Sequence, residues 1–166
     1  MRLVIGFIAA MLAVLVFHQP MILLLSKIGL LPATAQVYNM AALPNAPAVI
    51  ANTLKGFGLA GWPVLFNQLF WGGLWGALFG AIHHRIPGGL MLIKGLIFGL
   101  LILVFSNWLL LPFIRSTVQG LPNQTYFANA FGGGGFDYMK MLPGLCIQGA
   151  FGIGTGLFYG LMRRNG

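Results

Sequence analysis

Residues 3–25 read LVIGFIAAMLAVLVFHQPMILLL, an apolar run without a single charged side chain. The hydrocarbon core of a bilayer is about 30 Å thick and is crossed by roughly 20 residues of helix. Three further apolar runs reach this length, at residues 62–82, 90–113 and 141–162. The sequence therefore predicts an all-α polytopic membrane protein with four transmembrane helices.

The composition excludes several classes of protein. Of the 166 residues, 58% are hydrophobic and 6% are charged, whereas a soluble domain carries about 25% charged residues. Asp137 is the only acidic residue and Cys146 is the only cysteine. This chain therefore has no paired-carboxylate site, internal disulfide or cysteine zinc cluster of its own. The net charge of +8 is spread along the edges of the apolar runs, so we expect no nucleic-acid partner.

The basic residues predict how the spans are oriented. If the N-terminus is cytoplasmic, the inner segments are short and hold four arginines: Arg2, Arg85, Arg163 and Arg164. The outer segments, residues 26–61 and 114–140, are much longer and hold equally many basic residues. The density of positive charge favours both termini in the cytoplasm. Within the first outer segment, the stretch from Ala46 to Lys55 is predicted to form a short interfacial helix.

The second half of the sequence repeats features of the first. Spans two and four share a P-x-L-x-x-Q pattern at an offset of 80 residues, beginning at Pro63 and Pro143. Spans one and three align at an offset of 88 residues. We interpret residues 1–166 as one membrane domain built from two tandem hairpins of the same orientation, residues 1–85 and 90–164. The alternative is that apolar helices share Leu, Phe and Gly without common ancestry.

Glycines at four-residue intervals follow this pattern in both halves. We call Gly72, Gly76 and Gly80 the first glycine ladder, and Gly152, Gly156 and Gly160 the second glycine ladder. Residues four apart share one face of a helix, and a face without side chains lets another backbone approach closely. Two interpretations stay open: spans two and four pack against each other, or one ladder faces a separate subunit.

Polar side chains from all four spans fall at one depth. We call this set the polar layer: His18, Gln19, Asn67, Gln68, Ser106, Asn107 and Gln148. At 1.5 Å per residue they lie about 10 Å below the outer ends of their helices. One interpretation is hydrogen bonding between helices. The other is a small binding pocket open to the outer side, in which His18 would ligate a metal, haem or chlorin or bind a polar ligand.

Other polar residues carry little sign of chemistry. His83 and His84 lie at the opposite end of the spans and, beside Arg85, are predicted to face lipid headgroups. Ser106 and His18 share a depth, but no acid is present in the spans to orient such a pair. Nucleophile-turn, phosphate-loop and dinucleotide motifs are absent from the sequence. We therefore expect no catalytic residues, no metal ligands and no enzyme activity.

Two short motifs carry a family resemblance. The residues FHQP at 17–20 and FWGGLWG at 70–76 resemble those of a family of small four-span proteobacterial inner-membrane proteins. The resemblance covers most of the chain and implies the same topology and a bacterial inner-membrane location. It implies no site residues.

Several functions are consistent with these features. We expect a non-catalytic accessory, assembly or stabilising subunit of a larger inner-membrane complex. Its partners would be the lipid bilayer and either larger chains or further copies of itself. One alternative is a small dimeric transporter or channel that uses the polar layer. Another is a protein that contacts a pigment, haem or quinone, although no resident cofactor is required.

Overall fold

A computed structural model describes residues 1–32, 37–40, 62–110, 131–132, 135–136 and 138–164. The predicted interfacial helix from Ala46 to Lys55 lies outside these residues. Four helices make up most of the described chain: α1 (Arg2–Lys27), α2 (Val64–Ile82), α3 (Met91–Leu110) and α4 (Tyr138–Arg164). A 3₁₀ turn, His83–Arg85, follows α2. Two short strands, β1 (Phe131–Gly132) and β2 (Gly135–Phe136), pair antiparallel before α4.

The expectation of a helical membrane protein is confirmed in its coarser form. Three helical segments are long and apolar enough to cross a membrane: Arg2–Lys27, Met91–Leu110 and Met141–Arg163. The remaining predicted span, residues 62–82, corresponds to α2, which has 19 residues. Its polar pair, Asn67 and Gln68, together with its glycines and tryptophans, lowers the mean hydropathy of this helix.

Prolines and glycines place the ends of the helices. Pro63 precedes the first residue of α2, where its missing N–H removes no intrahelical hydrogen bond. After α1, Gly29 adopts a φ of +79°, and the N–H of Leu30 bonds to the carbonyl of Leu25 at 2.9 Å. This arrangement closes the C-terminal turn of the helix, and it favours glycine because side chains rarely tolerate positive φ.

The first glycine ladder packs against α1. A methyl group on Gly76 would collide with the carbonyl oxygen of Gly6 and the side chain of Ala10. One rung further, a methyl group on Gly80 would collide with the carbonyl oxygen of Arg2. Residue numbers fall along α1 as they rise along α2, so the two helices are antiparallel and touch backbone to backbone.

The second glycine ladder packs in the same way against α3. Methyl groups on Gly152 and Gly156 would collide with the carbonyl oxygens of Gly95 and Met91. On the facing helix, a methyl group on Gly99 would collide with the carbonyl oxygen of Gln148. The interpretation that spans two and four pack together through their ladders is therefore corrected. A separate subunit would have to displace α1 or α3 to reach the ladder it packs against.

The two helix pairs join through α1 and α4. Gly154 on α4 faces the ring of Phe17 on α1. The neighbouring Thr155 is fully buried, and its hydroxyl donates to the carbonyl of Phe151 within α4 at 2.8 Å. Helices α2 and α3 meet chiefly through rings, with centroid distances of 6.4 Å for Trp75–Phe105 and 5.2 Å for Phe79–Phe98. The helices are therefore closely packed along α1 and α4, whereas α2 and α3 make few contacts with each other besides these rings.

Replacing a ladder glycine tests this packing. We expect Gly152→Ala to destabilise the protein by about 1–3 kcal/mol, because the added methyl forces the backbones of α3 and α4 apart. Gly149→Ala is the matched control on the same helix, since its methyl would meet Leu96 at an ordinary 3.5 Å. Thermal unfolding in detergent measures both. Equal destabilisation of the two variants would contradict close packing at Gly152.

Candidate functional site

A cavity of about 400 Å³ lies between all four helices. Five members of the polar layer line it: His18, Asn67, Gln68, Ser106 and Gln148. The remaining wall is mostly apolar and aromatic, with Trp71 and Trp75 from α2 and Phe151 from α4. The cavity thus combines a polar lining with rings, as is common in sites for small molecules.

The other two members of the polar layer lie elsewhere or are not described. Gln19 is fully buried, where its amide nitrogen donates to Gln68 Oε1 at 2.5 Å. Its own Oε1 accepts from the backbone N–H of Tyr38 at 2.8 Å. Gln19 therefore positions Gln68 at the cavity wall and ties α1 to the chain that follows it. The side chain of Asn107 lies outside the described part of the chain.

A π-helical turn in α1 carries His18 to the cavity. Pro20 has no N–H to bond the carbonyl of Val16, and its ring crowds that carbonyl. The helix widens just before it, over Val14–His18, and the N–H of Gln19 bonds to the carbonyl of Val14. Such turns often occur at functional sites. Helix α3 is also π-helical, over Leu103–Leu110, where it supplies Ser106.

Two buried polar atoms at the cavity have no hydrogen-bond partner among the described residues. They are Nδ1 of His18 and Oδ1 of Asn67. The His18 ring lies edge-on to Phe151, with centroids 6.2 Å apart, so the surroundings of His18 are largely apolar. A buried polar atom without a partner costs about 1–3 kcal/mol. A bound group that pairs with both atoms would recover this free energy.

A second polar cluster lies at the opposite end of the bundle and centres on His83. This side chain is 2% exposed, although the sequence predicted that it faces headgroups; its neighbour His84 is exposed. Arg163 lies 3.1 Å from His83 Nε2. Because a guanidinium can only donate, Nε2 accepts and Nδ1 carries the proton, which it donates to the Gly80 carbonyl at 3.0 Å.

Three further contacts fix His83 in this position. Lys94 Nζ donates to the His83 carbonyl at 3.2 Å. The hydroxyl of Tyr159 lies 3.4 Å from Nδ1, and the two rings have centroids 4.9 Å apart. The ring of Phe79 packs against another side of His83, with the two ring centroids 6.0 Å apart. Sequence reasoning missed this cluster because its members are far apart along the chain, and adjacent histidines look alike in a sequence.

This environment favours the neutral form of His83. Burial away from water lowers its pKa below the ordinary 6.5, and the positive charges of Arg163, His84 and Lys94 lower it further. The hydrogen bond to Gly80 acts in the opposite direction. A protonated ring would also turn Nε2 into a donor facing the guanidinium. His83 thus serves as an acceptor that holds Arg163 at the end of the bundle.

Neither cluster has the composition of a metal centre. Within the described part of the chain, no three His, Cys, Asp or Glu side chains gather in a group that could hold a metal ion. Cys146 is a free, partly buried thiol.

Comparisons with protein families, curated proteins and solved structures give no match to this chain.

Titration of His83 gives this site a pH dependence. Because the folded-state pKa lies below 6.5, the unfolded chain binds the proton more readily. We expect full stability well above pH 6.5 and a loss that begins as the pH falls through 6.5 and continues until it has passed the lowered pKa of the folded state. His83→Gln keeps an acceptor for Arg163 but cannot titrate. Its unfolding midpoint should therefore change less with pH than that of the unmodified protein. His84→Gln is the control and should retain the slope; an unchanged slope in His83→Gln contradicts the assignment.

Proposed function

We propose that this protein binds a small amphipathic ligand within the membrane and does no chemistry on it. The observation that carries the proposal is the cavity between the four helices, with buried and unpartnered atoms on His18 and Asn67. A polar layer that served only to join helices would satisfy its members internally, as Gln19 and Gln68 satisfy each other. Both residues line the cavity, so rotation of their side chains would present two hydrogen-bonding atoms to a guest.

The lining also indicates the class of ligand. Asn67 Oδ1 can only accept, so the ligand has to donate, as a hydroxyl does. His18 Nδ1 donates or accepts according to its tautomer. Trp71 and Trp75 also line the cavity and supply apolar ring surface for an apolar body. A lipid-soluble alcohol, phenol or quinol has this combination of a hydroxyl head and an apolar body, whereas a quinone lacks the donor.

The route to the cavity lies between α2 and α3. These helices make the weakest packing contact described above, through Trp75 and Phe105, whereas the other helix pairs approach backbone to backbone or through small residues. A ligand dissolved in the bilayer would enter through this gap without separating a glycine ladder from its partner helix. The proposal therefore needs movement of side chains rather than movement of helices.

We further propose four membrane crossings with both termini on the cytoplasmic side of a bacterial inner membrane. At 1.5 Å per residue, α2 is about 28 Å long, close to the hydrocarbon thickness of a bilayer. It also lies antiparallel to α1 along the first glycine ladder. Accessibility of N- and C-terminal tags in intact spheroplasts and inverted vesicles tests this. Tags on opposite sides would mean an odd number of crossings and contradict the proposal.

Two substitutions test ligand binding. In ligand-free protein, His18→Phe and Asn67→Leu should each raise the melting temperature by about 3 °C, because each removes a buried atom without a partner. Both should weaken binding of a short-chain quinol or long-chain alcohol, followed by quenching of Trp71 and Trp75 fluorescence. The quinol should bind more tightly than its quinone, and an alkane should not quench.

Phe66→Leu, on the exposed face of α2, is the control and should change neither property. If both cavity variants lower the melting temperature and no probe quenches, the polar layer is internal hydrogen bonding and the proposal fails.

The accessory-subunit role expected from the sequence stays a second proposal. An exposed stripe on α2 supports it: Phe66, Trp71, Leu74 and Leu78 are each more than two-fifths exposed. Against it, both glycine ladders are already occupied by helices of this chain. Extraction of the protein from its membrane in mild detergent tests this role. Co-migration with larger chains would support it, and a lone chain would contradict it.

A further inference from the structure

A second groove lies at the end of the bundle that carries His83. It has a volume of about 450 Å³ and runs between the start of α3 and the end of α4. Its walls are leucines and its floor includes two ladder glycines, Gly156 and Gly160. Leu90, Leu92 and Leu161 are 63%, 40% and 50% exposed. Such an apolar lining suits a hydrocarbon chain, and Arg163 is the one charged residue that lines the groove.

The charge at this end of the bundle is strongly unbalanced. Arg163 and Lys94 are both hydrogen-bonded to His83, one to its ring and the other to its carbonyl. Two cations are thus held near each other by one neutral residue. The only acidic residue of the sequence, Asp137, directly precedes the start of α4, whereas Arg163 stands near the end of that 27-residue helix. No carboxylate side chain is therefore available to neutralise this pair.

The bond to His83 prepares Arg163 for an anion. It uses one of the five N–H donors of the guanidinium and restrains a long side chain that would otherwise lose rotamer freedom on binding. A guanidinium is well suited to a phosphate, which accepts two parallel hydrogen bonds from it. Lys94 adds a second positive charge nearby. The anion and the hydrocarbon chain would then lie at adjacent positions, the first at Arg163 and the second along the leucines.

We infer that this groove binds an anionic phospholipid, with its phosphate on Arg163 and one acyl chain along Leu90, Leu157 and Leu161. This site is separate from the cavity of the polar layer and does not depend on the function proposed for that cavity. The groove is open to the surrounding bilayer, so the occupant needs no path through the protein. Basic pockets between membrane helices commonly take acidic lipids in this way.

The test compares lipids that share chains and differ in headgroup. Purified full-length protein in mild detergent is mixed with phosphatidylglycerol or with phosphatidylcholine, and retained lipid is measured by native mass spectrometry. We expect phosphatidylglycerol to bind about fivefold more tightly, the gain that one basic side chain gives at an anionic membrane surface. Arg163→Gln should remove the preference, and Arg163→Lys should retain part of it. Equal binding of the two lipids to the unmodified protein would overturn the inference.

Two controls separate this site from general charge attraction. Arg85→Gln removes the same charge from an exposed residue that does not line the groove, and it should retain the preference. Gly160→Leu adds a side chain to the groove and keeps Arg163; the first added carbon would meet Met91 at 3.3 Å. It should weaken phosphatidylglycerol binding even if Arg163→Gln fails to fold. Unchanged binding in Gly160→Leu, or equal loss in Arg85→Gln, would sink the proposal.

Inorganic phosphate identifies the part of the lipid that is recognised. At matched concentration it should raise the melting temperature less than phosphatidylglycerol does, because it lacks the acyl chain. Equal stabilisation would mean that Arg163 binds a free anion and that the groove takes no part.

Discussion

Contact between backbones at the glycine ladders is the constraint on which the rest of this structure depends. In lipid, two helices gain no hydrophobic free energy by meeting, so close van der Waals contact has to hold them together. At Gly76 and Gly152 that contact is made by main-chain atoms, with the carbonyls of Gly6 and Gly95 filling the place of side chains. Sliding either pair by one residue would break this contact, because the neighbours of Gly76 in the sequence are Trp75 and Ala77 and those of Gly152 are Phe151 and Ile153.

The same constraint explains where the bundle is open. Residues small enough for close approach are concentrated on α1, on α4 and on the faces that α2 and α3 turn towards them. Large rings separate α2 from α3. Once the two ladders have fixed the helix pairs and α1 has packed on α4, the space between α2 and α3 cannot close. The cavity is therefore a consequence of which helices carry glycine at their contacts.

The sequence was sufficient to predict a helical membrane protein, because that follows from the lengths of the apolar runs. The common depth of the polar layer stays a prediction. The sequence was insufficient for the direction of side chains around each helix. Pro20 predicts a disturbance of α1, but not that a π-helical turn over Val14–His18 would bring His18 to the cavity and bury Gln19. Ladder partners were also ambiguous, since a glycine stripe does not state which helix it will contact.

The proposed duplication illustrates the same limit. Sequence alignment matched Gly72 with Gly152, at an offset of 80 residues. The contacts instead make Gly76 equivalent to Gly152, because these two lie against Gly6 and Gly95, which gives offsets of 76 and 89 residues. A pattern that repeats every four residues matches itself almost equally well after a shift of one rung. The duplication stays a prediction. Its register is better judged from the contacts of the ladder glycines with carbonyl oxygens than from matches in the sequence.

The two ends of the bundle each hold a buried histidine in a different environment, and this difference favours a ligand-contacting role for only one of the two histidines. At the basic end, His83 has an acceptor for its proton and a donor for its lone pair, so the ring is complete without a guest. At the other end, the edge of the His18 ring meets a hydrocarbon ring and its Nδ1 has no partner among the described residues. Helix packing alone does not account for a histidine at that position, since a buried polar atom without a partner costs about 1–3 kcal/mol. The proposed ligand, which brings its own hydroxyl, would supply the missing reason for His18.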